Sequence, residues 1–143
     1  MNKVPRIRRV SRGMLIACGV WLVAPGFYFI ILRPPLLPED SRFMGTTLEQ
    51  LRLAAPGLEN WLQKVFIVRG GFMSGAGVLT VLVATVVMPG NFNGTAWALA
   101  LSGALTVVLM SAIIFALRSD FRWLLVVPAL AWISGLVLFA EWR

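Results

Sequence analysis

The run Val65-Phe66-Ile67-Val68-Arg69-Gly70-Gly71-Phe72-Met73-Ser74-Gly75-Ala76-Gly77, carried on without a charge to Met88, decides the fold. Its only charged side chain is Arg69, and it is apolar on every side of a helix. A membrane-crossing helix needs about 20 mostly apolar residues. A barrel strand would alternate apolar and polar residues over about ten positions. A helix also satisfies each backbone polar group within its own segment. Met14 to Leu32, Thr95 to Leu117 and Phe121 to Ala140 pass the same test. The expectation is an all-α integral membrane protein, one membrane domain over residues 1–143, folded as an antiparallel four-helix transmembrane bundle. A basic tail (1–12) precedes the spans (14–32, 65–88, 95–117, 121–140), and a partly helical outer loop (33–64) joins the first two.

Composition points the same way. Hydrophobic residues make up 59% of the 143 residues and charged residues 13%, with a mean hydropathy of +0.83. A soluble domain carries about 25% charge. The chain has no histidine, which removes the commonest general base and the usual haem ligand. Cys18 is the single cysteine, so an internal disulfide or a cysteine metal cluster is excluded. The 6 acidic residues all lie outside the apolar runs, leaving no converging carboxylates for a metal cage. Proton-coupled pumps and voltage sensors keep a titratable group near mid-membrane, and no span here does. The sequence therefore predicts no catalytic residue, no cofactor and no metal: not an enzyme.

Lys3, Arg6, Arg8, Arg9 and Arg12 fill the tail, with no acid among them. Cations near helix ends favour the cytoplasmic side, so four spans place both termini there. Arg33, Arg42, Arg52, Lys64, Arg69, Arg118 and Arg122 fall on the other side, so the orientation rests on the tail. The net charge of +7 does not point to nucleic acid here, because a tail beside a membrane helix is explained by anionic headgroups, at about 1 kcal/mol per cation. Leu15-Ile16-Ala17-Cys18 looks like a lipoprotein cleavage box. Too little apolar chain precedes the cysteine to make a signal core, so the run is expected to stay as an anchor.

Within the loop, Pro34, Pro35 and Pro38 stop the first helix. Thr46-Thr47-Leu48-Glu49 fits a capping box from Thr46 to Glu49, opening a short helix to about Ala55. After Pro56-Gly57, the residues Leu58, Trp61, Leu62 and Val65 share one helical face, suited to the membrane interface. In the second span Gly71 and Gly75 form a small-xxx-small pair, and Gly70, Ser74 and Gly77 form a neighbouring stripe. Such residues let helices approach closely where no hydrophobic effect drives them together. Gly103 and Gly135 offer the same in the third and fourth spans, and Ala24-Pro25-Gly26 should kink the first. Arg69 stands about one turn inside its span, with Glu39, Asp40 and Glu59 as the nearest acids by topology; an ion pair and simple snorkelling to water are both open.

Pro38-Glu39-Asp40-Ser41-Arg42-Phe43-Met44-Gly45 after the first helix, with Arg69-Gly70-Gly71 opening the second, resembles a group of uncharacterised small four-helix bacterial inner-membrane proteins. In that group a His-Asp-Arg run precedes the glycines, whereas here Ile67-Val68-Arg69 keeps only the arginine. The resemblance implies a four-helix protein of the bacterial inner membrane and no known activity. The function expected from these features is non-catalytic: an accessory or scaffolding subunit of a respiratory or photosynthetic assembly. It would bind membrane lipids and either a protein partner or a second copy through its small-residue faces. The alternative is a small carrier or channel for a neutral or lipid-like solute.

Overall fold

The computed structural model describes residues 4–90, 92, 94–119 and 122–142. These are helical with short connections and contain no strand. In chain order the helices are α1 (Val4–Phe27), α2 (Pro38–Met44), α3 (Leu48–Ala54), α4 (Leu58–Leu82), α5 (Thr95–Gly103), α6 (Leu109–Ala116) and α7 (Arg122–Trp142). Wider π turns extend α1 over Tyr28–Leu32, extend α4 over Val83–Val87, and join α5 to α6 over Ala104–Val108. Four long helices result, spanning Arg6–Leu32, Leu58–Val87, Thr95–Ala116 and Arg122–Glu141, each long and apolar enough to cross a membrane.

The ends follow local chemistry. The first long helix stops at Arg33, which is extended (φ −71, ψ 121) because Pro34 follows it. The sequence reading had no helix at Pro38–Met44. Its signals were present: proline at the first helical position, Glu39 and Asp40 in the first turn, and Gly45 closing it in the left-handed region at φ 68. Asp40 Oδ2 accepts the Leu37 N–H at 2.8 Å. The capping box of α3 sits one residue later than expected. Thr47 Oγ1 accepts from the Gln50 N–H at 3.2 Å, and Gln50 Oε1 accepts from the Thr47 N–H at 3.3 Å. Gln50 replaces Glu49 as the reciprocal partner because the helix starts at Leu48. No breaker separates Leu58 from Val65, so the amphipathic segment and the second span are one continuous helix. Most of the basic tail is likewise helical, as the first turns of α1. Lys3, Asn93, Asp120 and Phe121 lie outside the described residues.

The first long helix packs against both α4 and α7, and the third packs against α7. The core of this arrangement includes Leu15, Cys18, Leu22, Met88, Leu99, Val107, Trp132 and Phe139. Side chains also reach across to neighbouring carbonyls. Ser11 Oγ donates to Gly135 O at 2.7 Å, Ser111 Oγ to Leu125 O at 2.8 Å, and Trp132 Nε1 to Leu99 O at 3.2 Å. Arg8 donates to Pro89 O at 2.7 Å, at the carbonyl end of the second long helix, where a cation also meets the helix dipole. One end of the molecule thus gathers the start of α1 and the turn around Pro89 and is closely packed. The other gathers the loop 33–57 and the turn at Arg118-Ser119.

Candidate functional site

The tightest feature is the crossing of α1 and α4. A Cβ on Gly77 would stand 2.5 Å from Gly19 O, and one on Gly19 would stand 2.8 Å from Gly77 O. A Cβ on Gly70 would stand 2.5 Å from Gly26 O, and one on Gly26 would stand 2.9 Å from Gly70 O. Real side chains do not tolerate these separations, so only glycine permits the approach. The hydrogen in place of each missing side chain points at the facing carbonyl, a weak C–H···O contact of about 0.5–1 kcal/mol. Ser74 sits between the two points, against Gly26, with its hydroxyl buried and without a hydrogen-bond partner among the described residues.

Gly71 and Gly75 do not take part. Both are exposed, and a Cβ on either would meet nothing within 4 Å. The small-xxx-small pair of the sequence reading therefore faces away from α1, and the neighbouring stripe of Gly70, Ser74 and Gly77 makes the crossing. Gly103 lies beneath the Trp132 indole, where any side chain would clash. Gly135 contributes its carbonyl to Ser11, and a Cβ there would touch Leu15 at 3.3 Å. The missed partners are Gly19 and Gly26. Their spacing of seven equals that of Gly70 and Gly77, and that match was a readable signal.

Two hollows lie towards the loop end. A chamber of about 850 Å³ is bordered by Leu37 and by Phe43 and Met44 of α2, and reaches residues of all four long helices. That is within the usual range for a small-molecule pocket, about 300–1,000 Å³. Its charged lining residues are Arg33, Glu39, Asp40 and Arg69. A second hollow, a cleft of about 520 Å³, opens between α4 and the third long helix, with Leu22 at its floor. Arg69 lines both hollows and is the one charged residue among the described residues lining the cleft.

The charges sort themselves unevenly. Arg33 pairs with Asp40 at 3.6 Å. Its Cζ also lies 3.6 Å from the Phe66 ring centre and 5.4 Å from that of Phe29. Glu39 accepts a hydrogen bond from Ser119 at 3.0 Å, and Glu59 pairs with Arg52 at 2.9 Å on the loop. Arg69 makes no ion pair among the described residues. Its Cζ stands 4.9 Å from the centre of the Phe29 ring, within cation–π range. The acids expected near Arg69 are thus engaged elsewhere, and Phe29 carries two guanidiniums on one ring. Of the tail cations, Arg8 is bound to a backbone carbonyl, Arg6 and Arg9 are exposed, and Arg12 is half-buried.

The hollows offer apolar walls, aromatic rings and guanidinium donors. Among the described residues no group of three or more His, Cys, Asp or Glu could hold a metal ion. Such a site can hold an apolar or amphiphilic body and orient an anionic group. Comparison with family models, with curated proteins and with solved structures finds no match for this chain. The likeness noted above therefore rests on Pro38 to Gly45 and Arg69-Gly70-Gly71 alone.

Proposed function

We propose that the chain inserts into a bacterial cytoplasmic membrane as an antiparallel four-helix bundle with both termini on the cytoplasmic side. Its role there is non-catalytic: an accessory or scaffolding subunit that binds neighbouring helices and lipid in a larger assembly. The observation carrying this reading is the outward face of α4. A Cβ on Gly71 or Gly75 would meet nothing within 4 Å among the described residues, although each glycine weakens a helix by about 0.5–1 kcal/mol relative to alanine. Small residues on an open face suit close approach by a partner helix. The test is migration of the tagged protein extracted in mild detergent. The wild type should run in a larger assembly. Gly71→Leu with Gly75→Leu should release it without lowering its own unfolding midpoint, since both positions are open and either change raises helix propensity. A wild type that runs alone would contradict the proposal.

The chamber favours a second reading, a carrier for a neutral or lipid-like solute. Its volume and mostly apolar lining suit such a solute. The close packing around Met88, Trp132 and Phe139 at the opposite end supports holding over through-passage. Flux of such a solute into liposomes carrying the protein alone would favour the carrier.

A further inference from the structure

We propose that the cleft between α4 and the third long helix is a binding site for an anionic phospholipid, with one acyl chain in the cleft and the phosphate on Arg69. The cleft offers α4 residues from Val65 to Ala76, with Val68, Phe72 and Met73 between them, facing Leu105, Leu109 and Ile113. At 1.5 Å per residue the α4 wall is about 17 Å long, and about 10 Å of it lies beyond Arg69 towards Ala76. One leaflet of a bilayer is about 15 Å of hydrocarbon, half of a core of about 30 Å. With the phosphate at Arg69, the cleft therefore holds about the first two-thirds of a lipid chain from a single leaflet.

Charge selects the headgroup. Arg69 is the cleft's one charged residue among the described residues lining it, and no carboxylate answers it. Arg33, against the same Phe29 ring, is answered by Asp40. An anion at Arg69 would thus complete the pattern and relieve two like charges sharing one ring. A guanidinium offers parallel N–H donors in a fork that fits phosphate. Arg69 Cζ lies over the Phe29 ring, and a guanidinium stacked on a ring face keeps its in-plane N–H donors for an anion. A zwitterionic lipid brings its own cation to the site and gains less. This proposal rests on the membrane insertion proposed above and is independent of the assembly reading.

The full-length protein is reconstituted in bilayers of equal parts phosphatidylglycerol and phosphatidylcholine, re-extracted in mild detergent, and its retained lipids identified by native mass spectrometry. The wild type should retain phosphatidylglycerol about tenfold over phosphatidylcholine, the scale of one charge-assisted hydrogen-bonded contact. Arg69→Gln should bring the ratio near one, Arg69→Lys should keep part of it, and Arg52→Gln on the loop should leave it intact. Leu109→Trp fills the cleft with Arg69 in place and should lower retention of both lipids. Should Arg69→Gln fail to fold, the wild-type preference must still decline as salt is raised. Parity in the wild type, an unchanged preference in Arg69→Gln, or full retention in Leu109→Trp would overturn the proposal. Displacement of the lipid by inorganic phosphate at constant ionic strength would also overturn it, since phosphate has no chain to fill the cleft. Loss of lipid preference with assembly migration intact would sink this proposal alone.

Discussion

α4 has two neighbours and treats them differently. Towards α1 it presents Gly70, Ser74 and Gly77, and α1 answers with Gly26 and Gly19, so two backbones meet at carbonyl distance. Towards the third long helix it presents Val65, Val68, Phe72 and Met73, answered by Leu105, Leu109, Met110 and Ile113, and a cleft remains. Hydropathy does not distinguish the partners, since the first and third long helices are equally apolar. Small residues in register on both helices do. Between apolar helices in lipid, close packing rather than water exclusion supplies the attraction. Bulk on both sides holds backbones apart, whereas bulk against a glycine closes them, as Trp132 on Gly103 shows at the contact between the third and fourth helices.

The comparison breaks most visibly at that large-on-small contact. Trp132→Ala should cost about 3–5 kcal/mol, since it empties a buried site and frees the Leu99 carbonyl. Thermal unfolding in detergent is the readout, and a loss below about 1 kcal/mol would mean the contact adds little. Next comes Gly26→Ala, whose methyl meets Ser74 and the Gly70 carbonyl. It should cost about 1–3 kcal/mol by overpacking. A neutral result would mean the α1–α4 crossing is looser than described.

The fold was far more legible than the site. Four apolar runs announced the long helices, because hydropathy over 20 residues is a local sum. The candidate glycines were also visible, but which stripe of α4 is used depends on where α1 carries its own glycines. Gly71 and Gly75 have the tighter spacing, yet α1 offers its glycines seven apart, and only Gly70 and Gly77 match that. The chamber was not legible. It depends on α2 folding back over the helix ends, and on Asp40 meeting Arg33, seven residues before it, in place of Arg69. Local charge counting could not choose between those arginines.

Smaller effects sharpen the contrast at the loop end. Asp40→Ala removes the Leu37 contact and the Arg33 pair together and should loosen α2 by about 1 kcal/mol. Faster protease cleavage between Pro35 and Gly45 would report it, and unchanged cleavage would mean other contacts hold α2. The smallest change is expected in the cleft. Leu109→Phe has room there and should alter stability by no more than about 0.5 kcal/mol. A loss comparable to that of Gly26→Ala would mean the second and third helices are packed together after all.

The most direct test uses two glycines of one helix. Gly77→Ala and Gly75→Ala make the same chemical change two residues apart, in the same membrane-like surroundings. Their unfolding midpoints in one detergent should move in opposite directions. Gly77→Ala drives a methyl to 2.5 Å from the Gly19 carbonyl and should lower the midpoint. Gly75→Ala meets open space and should raise it slightly, through a gain of about 0.5–1 kcal/mol in helix propensity. Equal shifts, or a larger loss at Gly75, would contradict the claim that α4 closes on α1 through Gly70 and Gly77 and leaves its other glycines free.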